Sequence, residues 1–176
     1  MLPKLFAELS SALPSPPPSV PDFTSIQHLP YLRATINETL RVHCTSSLGL
    51  PRVVPPGPGV TILDHHFAAG TVLSVPSYTV HHDQSIWGED ADEFKPERWL
   101  GGLTERQKQA FIPFSTGPRA CVGRNVAEME LCLILATVVL RYEFVLYEGE
   151  LQTREGFLRK PLGCKVGLKR RVEVKG

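Results

Sequence analysis

The chain has no long hydrophobic run. Its longest apolar stretch, residues 131–140, is bounded by Glu128, Glu130 and Arg141, too short and too charged at its ends to span a bilayer. No apolar core follows Met1 either, where Leu2-Pro3-Lys4-Leu5 argues against a secretory leader. Excess charge of one sign is missing: 19 Lys and Arg stand against 18 Asp and Glu, which removes any electrostatic case for nucleic acid as a partner. The four cysteines, Cys44, Cys121, Cys132 and Cys164, make no C-x-x-C pair and no secretory framework, so reduced thiols in an intracellular setting are expected. His65-His66 and His81-His82 lack the spacing of a zinc site. Internal repeats are absent.

What is present suits a globular chain. At 176 residues, 42% hydrophobic and 21% charged, it is long enough for a core of its own, and one domain over residues 1–176 is expected. Leu2, Leu5, Phe6, Leu9 and Leu13 recur at helical spacing over residues 2–13. Five prolines in residues 11–21 predict an extended linker, more simply a surface loop than a docking site for a proline-binding module. A helix is predicted over 24–43, its apolar face starting at Leu29-Pro30-Tyr31-Leu32. Residues 48–80 read as β, with β-branched runs at 60–63 and 71–75 and a turn ending at Gly70. Residues 87–102 form a charged meander. A helix opening at Gly123 or Arg124 runs to about Tyr142, with Val126, Met129, Leu133, Ala136, Val139 and Leu140 on one buried face. Residues 145–174 read as terminal hairpins broken at Gly149, Gly156, Gly163 and Gly167. The fold class is α+β, mainly α with small β-sheets.

The chemistry-bearing stretch is Phe114-Ser115-Thr116-Gly117-Pro118-Arg119-Ala120-Cys121-Val122-Gly123. It sets one cysteine in a Gly-punctuated loop, two residues after a cation and just before an apolar helix. The glycines allow tight turns and close backbone approach. A helix N-terminus near the sulfur favours its anion, and Arg119 can make charge-assisted bonds to a carboxylate. A lone cysteine would more simply be a buried structural one. Two further motifs weigh against that: Glu38-Thr39-Leu40-Arg41, whose ends share a helix face and could equally be an ordinary surface pair, and Phe94-Lys95-Pro96-Glu97-Arg98-Trp99 between that helix and the cysteine loop.

Together these resemble the cytochrome P450 family, whose cysteine loop reads F-x-x-G-x-R-x-C-x-G. Every fixed position is met, at Phe114, Gly117, Arg119, Cys121 and Gly123; Ser115 stands where Gly is commoner. The resemblance implies the C-terminal, haem-binding portion of that fold, with Cys121 as the axial ligand of a haem b iron. It implies Phe114, Arg119, Gly123, Arg52 and His81 as cofactor-binding residues, the two arginines and His81 toward the propionates. Glu38, Arg41 and Arg98 would form a buried structural triad that takes no part in the chemistry. Thr45, Ser46, Ser47, Leu48 and Phe157 would face the substrate, in loops 45–50 and 155–158. Three hydroxyls before an apolar Leu-Gly-Leu suit a small aromatic acid, though they could equally end the helix and bond backbone. Segments 45–52, 70–78 and 150–161 resemble fungal benzoate para-hydroxylases in particular.

The family's oxygen-activating Ala/Gly-Gly-x-Asp/Glu-Thr-Thr element and N-terminal anchor do not occur in these residues. The expectation is therefore a fragment holding no catalytic residue of its own, cytosolic by itself and inactive alone. A full-length homologue would sit on the cytoplasmic face of the endoplasmic reticulum. It would take electrons from NADPH through a separate reductase, and would insert one atom of O2 into an organic substrate. The alternatives are a truncated, non-catalytic product and a haem-thiolate sensor or binding protein.

Overall fold

A computed structural model describes residues 1–14, 17–147 and 151–171. Along the chain run α1 (Leu2–Ala12), α2 (Phe23–Ile26), α3 (Pro30–Val42), β1 (Arg52–Val53), β2 (Val60–Ile62), β3 (His65–Phe67), β4 (Val72–Leu73), α4 (Ser77–His81), α5 (Gln84–Trp87), α6 (Glu105–Ala110), α7 (Arg124–Arg141), β5 (Tyr142–Leu146), β6 (Thr153–Arg154), β7 (Lys160–Pro161) and β8 (Val166–Arg170). Single 3-10 turns occupy Pro96–Trp99 and Gly117–Arg119. The architecture is α+β, with helices dominant and four two-stranded antiparallel sheets.

The helix expected over 24–43 is two helices. Pro30 has no N–H to continue a helix, but its fixed φ suits a helix start, so α3 begins there. Asp22 caps α2 through the Thr24 N–H. Leu29 offers α3 no side-chain cap, and the free donors are met from another helix: the Glu8 carboxylate of α1 accepts from the Tyr31 N–H at 2.7 Å and the Leu32 N–H at 2.8 Å. That contact also explains how α1 docks. Leu5 and Leu9 of α1, Ile26 of α2, Leu32 and Ile36 of α3, and Cys132, Ala136 and Val139 of α7 make the main core.

Only the C-terminal half of α7 follows the expected stripe. Ala136, Val139 and Leu140 are buried against α1, α2 and α3, whereas Val126 and Met129 are exposed because those helices pack the later turns. Residues 48–80 also depart from the expected β reading. β2 pairs with β3, and β4 pairs with β1, not with its neighbour in sequence. Residues 77–81 are helical. α6, unforeseen, is set by a capping box between Thr104 and Gln107. Near the C-terminus β5 pairs with β8 around the β6–β7 hairpin. The break at Gly149, the strand end at 172–174, and Ser15 and Pro16 of the linker lie outside the described residues. Among the described residues no helix is long and apolar enough to cross a membrane.

Candidate functional site

The cysteine loop leads from Ile112 into α7. Ser115 turns into the left-handed region at φ 60° and Gly117 at φ 72°. Left-handed backbone at position 115 is strained for any residue with a Cβ, which accounts for the preference for glycine there. The Cys121 N–H donates to the Phe114 carbonyl at 2.8 Å, closing the loop, and the Ala120 N–H donates to Gly117 O at 3.0 Å. Cys121 sits three residues before the first residue of α7, at the positive end of that helix. A Cβ on Gly123 would lie 3.9 Å from the Cys121 sulfur. Cys121 is exposed, while Cys44 and Cys132 are the packed cysteines. Arg119 and Arg52 are exposed as well; Arg52 donates to Pro51 O at 2.9 Å. Phe114 is half-buried, its ring under the Arg124 guanidinium at 5.8 Å.

Behind the loop lies an ion network. Glu38 and Arg41 are fully buried and Arg98 nearly so. Arg41 makes a two-pronged contact to Glu38 at 2.8 and 2.9 Å, and Arg98 Nε reaches the same carboxylate at 3.1 Å. The Lys95 N–H and the Trp99 indole add bonds at 2.9 Å each. Burial alone would raise the pKa of Glu38, but the bonds from Arg41, Lys95 and Trp99 overcome it and hold the carboxyl below its ordinary value. Arg41 spends its remaining donors on the carbonyls of His81, Ala91 and Glu93. Arg98 reaches Trp87 O and Asp90. The pair at Glu38 and Arg41 is thus not a surface pair: it gathers α3, the 87–99 segment and α4. Trp99, the last residue of the 94–99 motif, belongs to it too, and so does Asp90, which no motif marks.

His81 is fully buried, whereas Cys121, Arg119 and Arg52 are exposed. Its Nε2 accepts from the Ile112 N–H at 3.0 Å, so it touches the root of the cysteine loop from within. Its Nδ1 has no partner among the described residues. Burial pushes its pKa down to about 4.

Loop 45–48 follows α3 and is held carbonyl by carbonyl. Thr45 O accepts from the Arg159 N–H (2.7 Å), Ser46 O from the Ser77 hydroxyl (2.7 Å), Ser47 O from the Tyr78 N–H (3.1 Å) and Leu48 O from the Ser74 hydroxyl (3.0 Å). Gly49, at φ 71°, lies so close to Val75 that a Cβ would stand 2.1 Å from its carbonyl oxygen. Ser47 is buried and its hydroxyl donates to Glu155, while Thr45, Leu48 and Phe157 are exposed and Ser46 is half-buried. No motif in the sequence marks Glu155 and Arg159, although their four-residue spacing is visible there.

Comparison with known proteins fits this geometry. The family model described as Cytochrome P450 matches residues 2–168. The chain belongs to the cytochrome P450 family. It is 57% identical over 171 residues to the benzoate 4-monooxygenase bphA of Aspergillus niger, covering 96% of this chain and 33% of that protein. It is 38% identical over 176 residues to the cytochrome P450 monooxygenase pkfB of Emericella nidulans, covering 98% and 34%. It is 41% identical over 142 residues to the cytochrome P450 monooxygenase BOT4 of Botryotinia fuckeliana, covering 81% and 26%. The chain spans about a third of the length of these P450 relatives or less. Membership implies a haem whose iron is held by a cysteine thiolate. The residues present fit that group: the sulfur is exposed at a helix N-terminus, and two exposed guanidiniums are available for carboxylates.

Proposed function

We propose that this chain is the haem-binding part of a monooxygenase acting on small aromatic acids. The observation that carries the reading is the exposed Cys121 thiol in a closed loop at the positive end of α7. Cys121 is the axial ligand, Arg119 and Arg52 bind the propionates, and Phe114 and Gly123 shape the loop around the sulfur. His81 acts through the Ile112 N–H, holding the start of the loop. When bound, the haem supplies O2 activation, with thiolate electron donation favouring O–O cleavage. Glu38, Arg41 and Arg98 keep the loop's scaffold in place and touch no reacting atom.

The benzoate 4-monooxygenase resemblance supports an aromatic acid as substrate, with Thr45 and Ser46 as hydroxyls able to meet its carboxylate and Leu48 and Phe157 as apolar walls. Electrons come from NADPH through a separate reductase, and the complete protein works at the endoplasmic reticulum. The remaining parts of the pocket belong to the portion of the relatives that this chain does not span. The test is a chimera in which this chain replaces the matching third of the A. niger benzoate 4-monooxygenase. With reductase and NADPH, it should hydroxylate benzoate. A haem-loaded chimera that consumes NADPH but leaves benzoate and its ring-substituted analogues untouched would refute the substrate class.

A further inference from the structure

Two segments 108 residues apart meet at one carboxylate. Glu155, at the turn of the β6–β7 hairpin, accepts from the buried Ser47 hydroxyl through one oxygen, and its other oxygen lies 3.1 Å from Arg159 Nε. Arg159 in turn donates to the Thr153 hydroxyl at 3.2 Å, stands 4.6 Å over the Tyr78 ring, and gives its backbone N–H to Thr45 O. Its Nη1 is buried with no acceptor among the described residues. Glu155 is the carboxylate that neutralises it there. The Arg159 side chain is mostly buried and Glu155 half-exposed, so the ion pair by itself is partly screened by solvent. Together with the Ser47–Glu155 bond and the Arg159 N–H on Thr45 O, it ties the hairpin turn to loop 45–48. Next to the tied residues in sequence, Leu48 of the one loop and Phe157 and Leu158 of the other are apolar and exposed.

We propose that Ser47, Glu155 and Arg159 form a clasp that sets the width between the two loops, and thereby decides how broad an aryl ring system the site admits. The proposal rests on the reading of these loops as substrate-facing. Ser47 and Glu155 are positioning residues, their hydroxyl and carboxylate spent on each other rather than on a ligand.

The chimera described above tests it, with Ser47→Ala, Glu155→Ala, the double variant and Ser47→Thr. The readout is the spectral dissociation constant for a one-ring and a two-ring ligand, measured both as acids and as uncharged aryl compounds. The clasp predicts that each Ala variant binds the two-ring ligand better relative to the one-ring ligand, by about fivefold, with the double variant no further changed. Ser47→Thr, which keeps the hydroxyl, should restore the original ratio. An unchanged ratio in both single variants, or two effects that simply add, would overturn the clasp. If acids fail to bind while uncharged ligands do, the substrate reading falls and the uncharged pair still tests the clasp. Hydrogen exchange without cofactor is a second, independent readout. The amides of Arg159 and Tyr78, which donate to Thr45 and Ser47, should exchange about fivefold faster in the Ala variants; equal rates would contradict the tie.

Discussion

At the scale of single residues, His81 makes the sharpest claim. A histidine that gains a partner usually has its pKa raised; this one is buried beside Arg41 and lowered to about 4 from an ordinary 6.5. Between those values the unfolded chain takes up a proton that the folded chain refuses. Its contribution to stability is therefore complete above about pH 6.5 and is lost as pH falls toward about 4. Glu38, held below its ordinary value, acts in the same direction at lower pH. His43 also titrates in this direction, lowered by burial and then by Arg159, so the useful quantity is a difference. In His81→Gln, whose amide oxygen reaches the place of Nε2 and can still accept from Ile112, the loss of stability between about pH 7 and pH 5 should be smaller than in the parent by about 2 kcal/mol. Urea unfolding of the haem-loaded chimera at both values measures it. Identical pH dependence in the two proteins would mean that His81 titrates normally.

At the scale of elements, the network around Glu38 fastens α3 to the 87–99 segment. Removing one member leaves buried charge without compensation, at a cost of roughly 3–5 kcal/mol. Glu38→Ala should therefore give apo or insoluble protein, whereas an exposed control, Glu105→Ala, should load haem normally. Soluble, haem-loaded Glu38→Ala protein of normal stability would contradict the network's role. This network also shows how far the sequence could be read. Glu38 and Arg41 were legible because helical spacing joins them, and Arg98 through the segment around it. The carbonyls of Ala91 and Glu93 were not, because they come from irregular chain whose contacts have no period, and that of His81 lies at the end of the short helix α4, where the sequence reads as β. The same distinction explains α3, where Pro30 was visible in the middle of an apolar pattern and outranked it. It explains the sheets as well: β1 to β4 are two or three residues long, so their partners follow from distant turns more than from local alternation. Glu8 capping α3 from α1, and Glu155 meeting Ser47, are long-range contacts of the same kind.

At the scale of the molecule, the described residues bring together a packed core behind α3 and α7 and an exposed cysteine loop. Leu48, Val122, Val126, Ile134 and Phe157 are apolar and exposed. With the chain spanning about a third of its relatives, a haem and further chain are the covers proposed for such surfaces. All of this turns on one sulfur. The most direct test compares the ferrous carbonyl spectrum of the chimera carrying Cys121 with its Cys121→Ser variant, and with Cys132→Ser as a control for a packed cysteine. The parent and Cys132→Ser should show the red-shifted Soret band of thiolate-ligated haem, and Cys121→Ser should lose it. A red-shifted band that survives in Cys121→Ser would contradict the assignment of Cys121 as the iron ligand.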